Sequence, residues 1–439
     1  MPPRSRKPAR PAIPSPAYDV VRATLDNGLR VILAPDKTAP VVSVAVFYDV
    51  GFRSEPEGRT GFAHLFEHLM FQGSENVGKA QHPAYVQGAG GMFNGSTHPD
   101  YTNYFQLLPS GALELALFLE ADRMRAPRIT QENLENQIAV VQEEIRVNVL
   151  NRPYGGFPWI TLAPVAFDSF ANAHNGYGDF SELEAATLQD AETFFQSYYA
   201  PGNAVLSIAG DVDPTKTLAL IEKHFGPIQA RKVPKRPSFA EAVKPRREVL
   251  VDRLAPQPAL AAGYPTPDPG RQLPEYLAAI VLAEVLSAGD ASRLEQRLVQ
   301  QDRSVTSVST YLGTFGDPFD QRDPVLMTLE VHHPDSTKAD EVLGAVDEEI
   351  DRVASDGLEP GELARVQARL AAGVLREVDS VLERGLALAA LEQQRGRAEL
   401  VNELPGMLGS VTEEQVRAAA GRLTPNSRAV LELRPGGAA

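Results

Sequence analysis

Cysteine is absent from all 439 residues. That excludes disulfides, thiolate metal ligands and cysteine nucleophiles together, so a metal here must be held by His, Asp or Glu. No apolar run reaches the ~18 residues a membrane-spanning helix needs. Positive charge is in deficit as well, with 42 Lys and Arg against 57 Asp and Glu, a net −15. A nucleic-acid binder needs a basic face, so that class is disfavoured. No G-x-G-x-x-G turn follows a strand, which argues against a dinucleotide oxidoreductase. The start, MPPRSRKPARPAIPSPAYD, is basic and Pro-rich and lacks the apolar stretch of a secretory signal. Residues 1–17 are therefore expected to be a disordered tail, and the expected location is the cytoplasm.

Hydrophobic residues make up 43% of the chain, enough for a large core in two or three domains. Strand-like alternation runs through YDVVRATL (18–25) and GLRVILAP (28–35), with Asp26-Asn27-Gly28 as the hairpin turn. VVSVAVFYDV (41–50) reads as a third strand, and GGMFNGST (90–97) and YTNYFQLLP (101–109) as two more. Helical periodicity marks 113–124, 132–150, 188–199 and 215–225. Residues 227–246 turn Pro-rich and basic and read as a linker. After it the pattern restarts with strands, helices at about 272–301, two more strands, and four helical stretches from 335 to 422. SYYAPGNAVLSIAG (197–210) and GRLTPNSRAVLELRPG (421–436) both run helix end, Pro, Asn, apolar strand. The expected architecture is α+β, with two homologous halves, 18–226 and 247–439, each a mostly antiparallel sheet packed with helices.

The chemistry concentrates in HLFEHLMF, residues 64–71. At ~100° per residue, His64, Glu67 and His68 fall within one face of a helix, at ~0°, ~300° and ~40°. Leu65, Phe66, Leu69 and Met70 cover the other directions, so the helix is expected to be buried. Unpaired imidazoles and carboxylates are costly there, and a divalent cation would offset that cost. H-x-x-E-H is the inverted form of the zinc-protease helix motif, with the Glu placed to take a proton from water. A catalytic zinc needs a third protein ligand. Glu144, in VVQEEIR, and its neighbour Glu143 both qualify.

HLFEHLMFQGS, GGMFNGSTHPDYTNYFQLLP and NQIAVVQEEIRVNVLNRPYG resemble the pitrilysin and insulin-degrading-enzyme family. The likeness is to the short bacterial branch similar to mitochondrial processing peptidase. It extends over about 20–435, densely over 58–156 and loosely after 245.

The resemblance implies one zinc per chain on His64, His68 and Glu144, with Glu67 as general base. The implied activity is that of a zinc metalloendopeptidase, hydrolysing peptides or unfolded polypeptides by zinc-activated water. Asn94 matches a family Asn on the strand beside the site, where substrate adds as an extra strand. Two departures stand out. Many relatives carry a supporting Glu where this chain has Gln137. Relatives active as single chains carry an Arg and a Tyr at positions occupied here by Val299 and Thr306. Their absence points to a metal-bearing subunit forming half of a clamshell chamber, with a homologous partner supplying both groups. A homodimer is the alternative. Two other readings within the family are a non-catalytic scaffold subunit and a maturation protease for one precursor.

Overall fold

The computed structural model describes residues 15–436; residues 1–14 of the expected tail lie outside them. Six strands form the first sheet: β1 (Val21–Thr24), β2 (Arg30–Pro35), β3 (Val41–Tyr48), β4 (Met92–Thr97), β5 (Thr102–Pro109) and β6 (Ala204–Gly210). Their spatial order is β1-β2-β6-β3-β5-β4, so β4 is an open edge. Every pairing is antiparallel except β2 with β6.

The second sheet holds β7 (Arg247–Asp252), β8 (Ala259–Pro265), β9 (Ser307–Leu312), β10 (Leu326–His332) and β11 (Ala429–Pro435). Its order, β7-β11-β8-β10-β9, repeats β2-β6-β3-β5-β4 strand for strand, and again only the first pair is parallel. A short Pro-led turn, Pro201–Asn203 or Pro425–Ser427, feeds an interior strand of each sheet, β6 or β11. The two similar sequence ends are therefore the same structural junction, and the α+β architecture of two repeated halves is present.

The first sheet is covered on both faces, which explains why β3 reads as a continuous apolar run. Val44, Val46 and Tyr48 pack towards the first half's helices with Leu65, Phe66 and Leu69. Ala45 and Phe47, one residue out of phase, join a core made mostly by the second half. The second-half helix Val381–Arg395 lies directly on β3 and β6.

Four helices organise the first half: α1 (Phe62–Leu69), α2 (Gln81–Gly88), α3 (Leu113–Arg125) and α4 (Gln131–Ile145). The helix expected over 132–150 stops being α at Ile145 and continues as a wide π turn over Arg146–Leu150. The expected four helical stretches after 335 are five, because Ser380 ends one helix and caps the next through Glu383 N–H. Residues 229–246 contain neither helix nor strand. They are nonetheless pinned: Arg236 pairs with Asp100, and Lys244 donates its backbone N–H to Ala166. No described helix is long and apolar enough to cross a membrane.

Candidate active site

The geometry begins at Gly61, whose φ of 77° turns the chain into α1. Two N-terminal donors of α1 are satisfied from outside the helix. Glu55 accepts the Gly61 N–H at 2.9 Å and the Ala63 N–H at 2.7 Å. Glu55 is itself buried against His174 Nε2, 3.0 Å away. Burial raises the Glu55 pKa; burial opposes charge on His174 too, but the Glu55 hydrogen bond leaves the imidazole raised.

One turn further on, the two imidazoles face each other with Nε2 atoms 3.3 Å apart. Glu144, in the last turn of α4, brings Oε2 to 3.4 Å from His68 Nε2 and 3.8 Å from His64 Nε2. Its other oxygen accepts from the Tyr177 hydroxyl at 3.2 Å. The π turn after α4 then lets Asn148 reach that same hydroxyl, at 3.3 Å. Glu143, the competing carboxylate, points outward to Arg146.

Ligands on a tetrahedral zinc at ~2.0–2.1 Å sit roughly 3.3–3.4 Å apart. Two nitrogens and a carboxylate oxygen at these separations match that donor set, and His64, His68 and Glu144 form a group that could hold a metal ion. The electrostatics agree. Burial and the neighbouring His68 charge push His64 down to about 4, keeping its lone pair free at neutral pH. The hydrogen bond to His68 holds the Glu144 carboxyl below its ordinary range. Burial opposes charge on His68, but Glu144 and Glu67 leave it raised.

Glu67 is buried beside the pair, and burial raises its pKa. Its Oε2 accepts from Thr97 Oγ1 at 2.6 Å, which ties it to the edge strand β4. Gly95 makes that closeness possible, because a Cβ there would stand 3.2 Å from Glu67 Oε1. Gln137 is buried, lines the same cavity as His68 and donates its side-chain amide to Asn136 Oδ1 at 2.8 Å. Asn94 lies on the opposite face of β4 from Gly95 and Thr97, at the junction of two cavities.

The metal-side cavity is about 630 Å³ and is ringed by Phe52, Phe71, Phe93, Trp159, Tyr177 and Phe315. Phe315 comes from the second half. Thr306 lies away from this cavity, donating its hydroxyl to His332 O, and Val299 packs against the second-half core. Sequence reasoning missed Glu55, Thr97, Tyr177 and the aromatic ring. Their only signal is spatial, since no local pattern links them to HLFEHLMF.

A family profile described as insulinase (peptidase family M16) matches residues 30–153, and one described as the peptidase M16 inactive domain matches 185–370. The chain belongs to peptidase family M16. Among its relatives, zinc protease PqqE of Helicobacter pylori is 30% identical over 296 residues, 64% of each chain. An uncharacterised zinc protease of Mycobacterium tuberculosis is 27% identical over 97% of this chain and 96% of its own. A solved protease structure from Helicobacter pylori superposes with TM-score 0.85 at 23% identity, covering 95% of this chain and 100% of that one. Pitrilysin superposes at TM-score 0.78 and 17% identity, covering 98% of this chain but 46% of the pitrilysin chain. This M16 chain thus spans about half the length of that larger relative.

Proposed function

We propose that this chain is a zinc-dependent endopeptidase acting on peptides and unfolded polypeptides. His64, His68 and Glu144 would hold the metal, and Glu67 would be the general base. The observation that carries this is the convergence of three donor atoms, 3.3–3.8 Å apart, next to a buried carboxylate tied to an open sheet edge. When bound, zinc supplies a Lewis acid that polarises the scissile carbonyl and makes a water easier to deprotonate.

The chain's own groups do the rest. An extended peptide adds to β4 through backbone hydrogen bonds. Glu67, raised by burial towards the working pH, accepts the proton of the attacking water and passes it to the leaving amine. Tyr177 orients Glu144 from behind, and buried Gln137 lines the same cavity.

Glu67→Gln tests the assignment. Zinc content measured on the purified protein stays at the wild-type level. Cleavage of a quenched fluorescent peptide falls roughly 100- to 10,000-fold. Turnover retained in that variant removes Glu67 as the base.

The reading includes a homologous partner, which would bring the Arg and Tyr that Val299 and Thr306 do not provide. Support comes from pitrilysin, whose chain holds about twice the length matched here. The protein purified alone is then expected to bind zinc and to cleave only when the partner is added. Cleavage by the chain alone makes the assembly a homodimer.

A further inference from the structure

A second cavity, of about 800 Å³, opens on the far face of β4. Its apolar walls include Phe47 and Phe105 of the first sheet and Leu312, Phe319, Leu386 and Leu391 of the second half. Phe315 lines both cavities. It sits between Gly313 and Gly316, whose φ values of 91° and 86° are left-handed, and its ring is 5.6 Å from His98 and 5.5 Å from Trp159.

The edge of β4 decides how a peptide would use these spaces. His98 donates its backbone N–H to Tyr101 at 2.8 Å, and Ser96 and Asn94 stand opposite Asn103 and Phe105. Antiparallel pairing alternates, so the backbone groups of Asn94, Ser96 and His98 face β5. Those of Phe93, Gly95 and Thr97 point off the edge. A peptide strand pairing with them alternates in turn. Whichever bond lies beside Glu67, its two flanking residues therefore point to opposite faces of the sheet.

One flank enters the aromatic-ringed metal cavity. We propose that the other enters the far cavity, which is a specificity pocket for a bulky apolar side chain of Phe or Leu size. The enzyme would then read both residues of the cleaved bond at once. Acidic side chains are disfavoured, because Glu284, Asp317, Glu377 and Glu383 line the pocket against two guanidiniums, Arg369 and Arg376. The inference rests on the peptidase reading and adds the substrate class.

The test measures binding to the full chain carrying Glu67→Gln, by calorimetry, with Thr/Ala decapeptides holding Phe, Ala or Asp at one central position. The Phe peptide is expected to bind at least about tenfold more tightly than the other two. Gly373→Phe, added to Glu67→Gln, should bring the Phe peptide to the Ala level and leave the Ala peptide unchanged. Gly373 lines the cavity, and a Cβ there meets nothing within 4 Å, so the new ring fills space without a backbone clash. Ala387→Leu, on the neighbouring wall, fills the same space independently. Equal affinities for Phe and Ala, or a Phe preference that survives both filled variants, overturns the pocket. The same peptides given to the wild-type protein with its homologous partner added separate the two ideas. Preference without cleavage sinks the peptidase reading and leaves the pocket; cleavage without preference does the reverse.

Discussion

At the scale of single residues, the site is built from groups whose charges are set by their neighbours. On the proposed zinc reading, Gln137 is the position at which metal binding can be improved. It is buried in the cavity that His64, His68 and Glu144 line, and it carries no charge to favour a cation. Gln137→Glu adds a carboxylate to the same ring. Zinc affinity, measured by chelator competition, is expected to rise about tenfold. The metal-free protein should melt lower than wild type, because a buried carboxylate without its cation is costly. An unchanged zinc affinity would mean that Gln137 only fills space. His64, Glu67 and His68 are legible in the sequence because helical spacing alone puts them on one face. Glu144 and Glu143 are not separable that way. Adjacent helix positions differ by ~100°, and the choice depends on where α4 crosses α1. Tyr177 and Thr97 are illegible for the same reason at longer range.

At the scale of elements, α1 is aimed by its first turn rather than by its own sequence. Gly61 has left-handed φ, and a Cβ there would lie 2.3 Å from the Tyr177 carbonyl oxygen. Gly178, across the same contact, would place one 2.3 Å from the Thr60 carbonyl oxygen. The two glycines allow the α1 entry and the Tyr177 loop to touch, which delivers the Tyr177 hydroxyl to Glu144. Gly61→Ala should therefore cost about 2 kcal/mol or more in stability, from backbone strain and the forced loop shift. It should also weaken zinc binding, because the loop carries Tyr177 away from the site. Thermal melting and chelator competition read the two effects separately. The helix expected to run to residue 150 shows what periodicity cannot resolve. A π turn adds about one residue per turn, too small a change to see in five residues of RVNVL. The same limit explains the helix break at Ser380. A capping Ser between two good helical patterns is readable only when its hydrogen bond is known.

At the scale of the whole molecule, the repeat was legible and the packing of its halves was not. Helix, Pro, Asn and strand recur in sequence and recur as β6 and β11. Nothing local says that the second half covers the far face of the first sheet, since those contacts join residues hundreds of positions apart. Asp100 holds that junction. It is buried and pairs with Arg53 of the first half at 3.4 Å and with Arg236 of the crossing segment at 2.5 Å. It also accepts the backbone N–H of second-half Arg322 at 2.8 Å. Burial works against its charge, but Arg53 and Arg236 hold its pKa below the ordinary carboxylate value. A carboxyl lowered in the folded state stabilises it above the unfolded pKa of about 3.9, and that stability drains away as pH falls through the folded value. Asp100→Asn leaves two arginines facing an uncharged amide in a dry junction. At pH 7 the loss should be about 3 kcal/mol, the ordinary cost of breaking a buried ion pair from one side. The gap between wild type and variant should then close as melting curves are taken from pH 5 towards pH 2. A gap of constant size across that range would show that the Asp100 shape, not its charge, joins the halves.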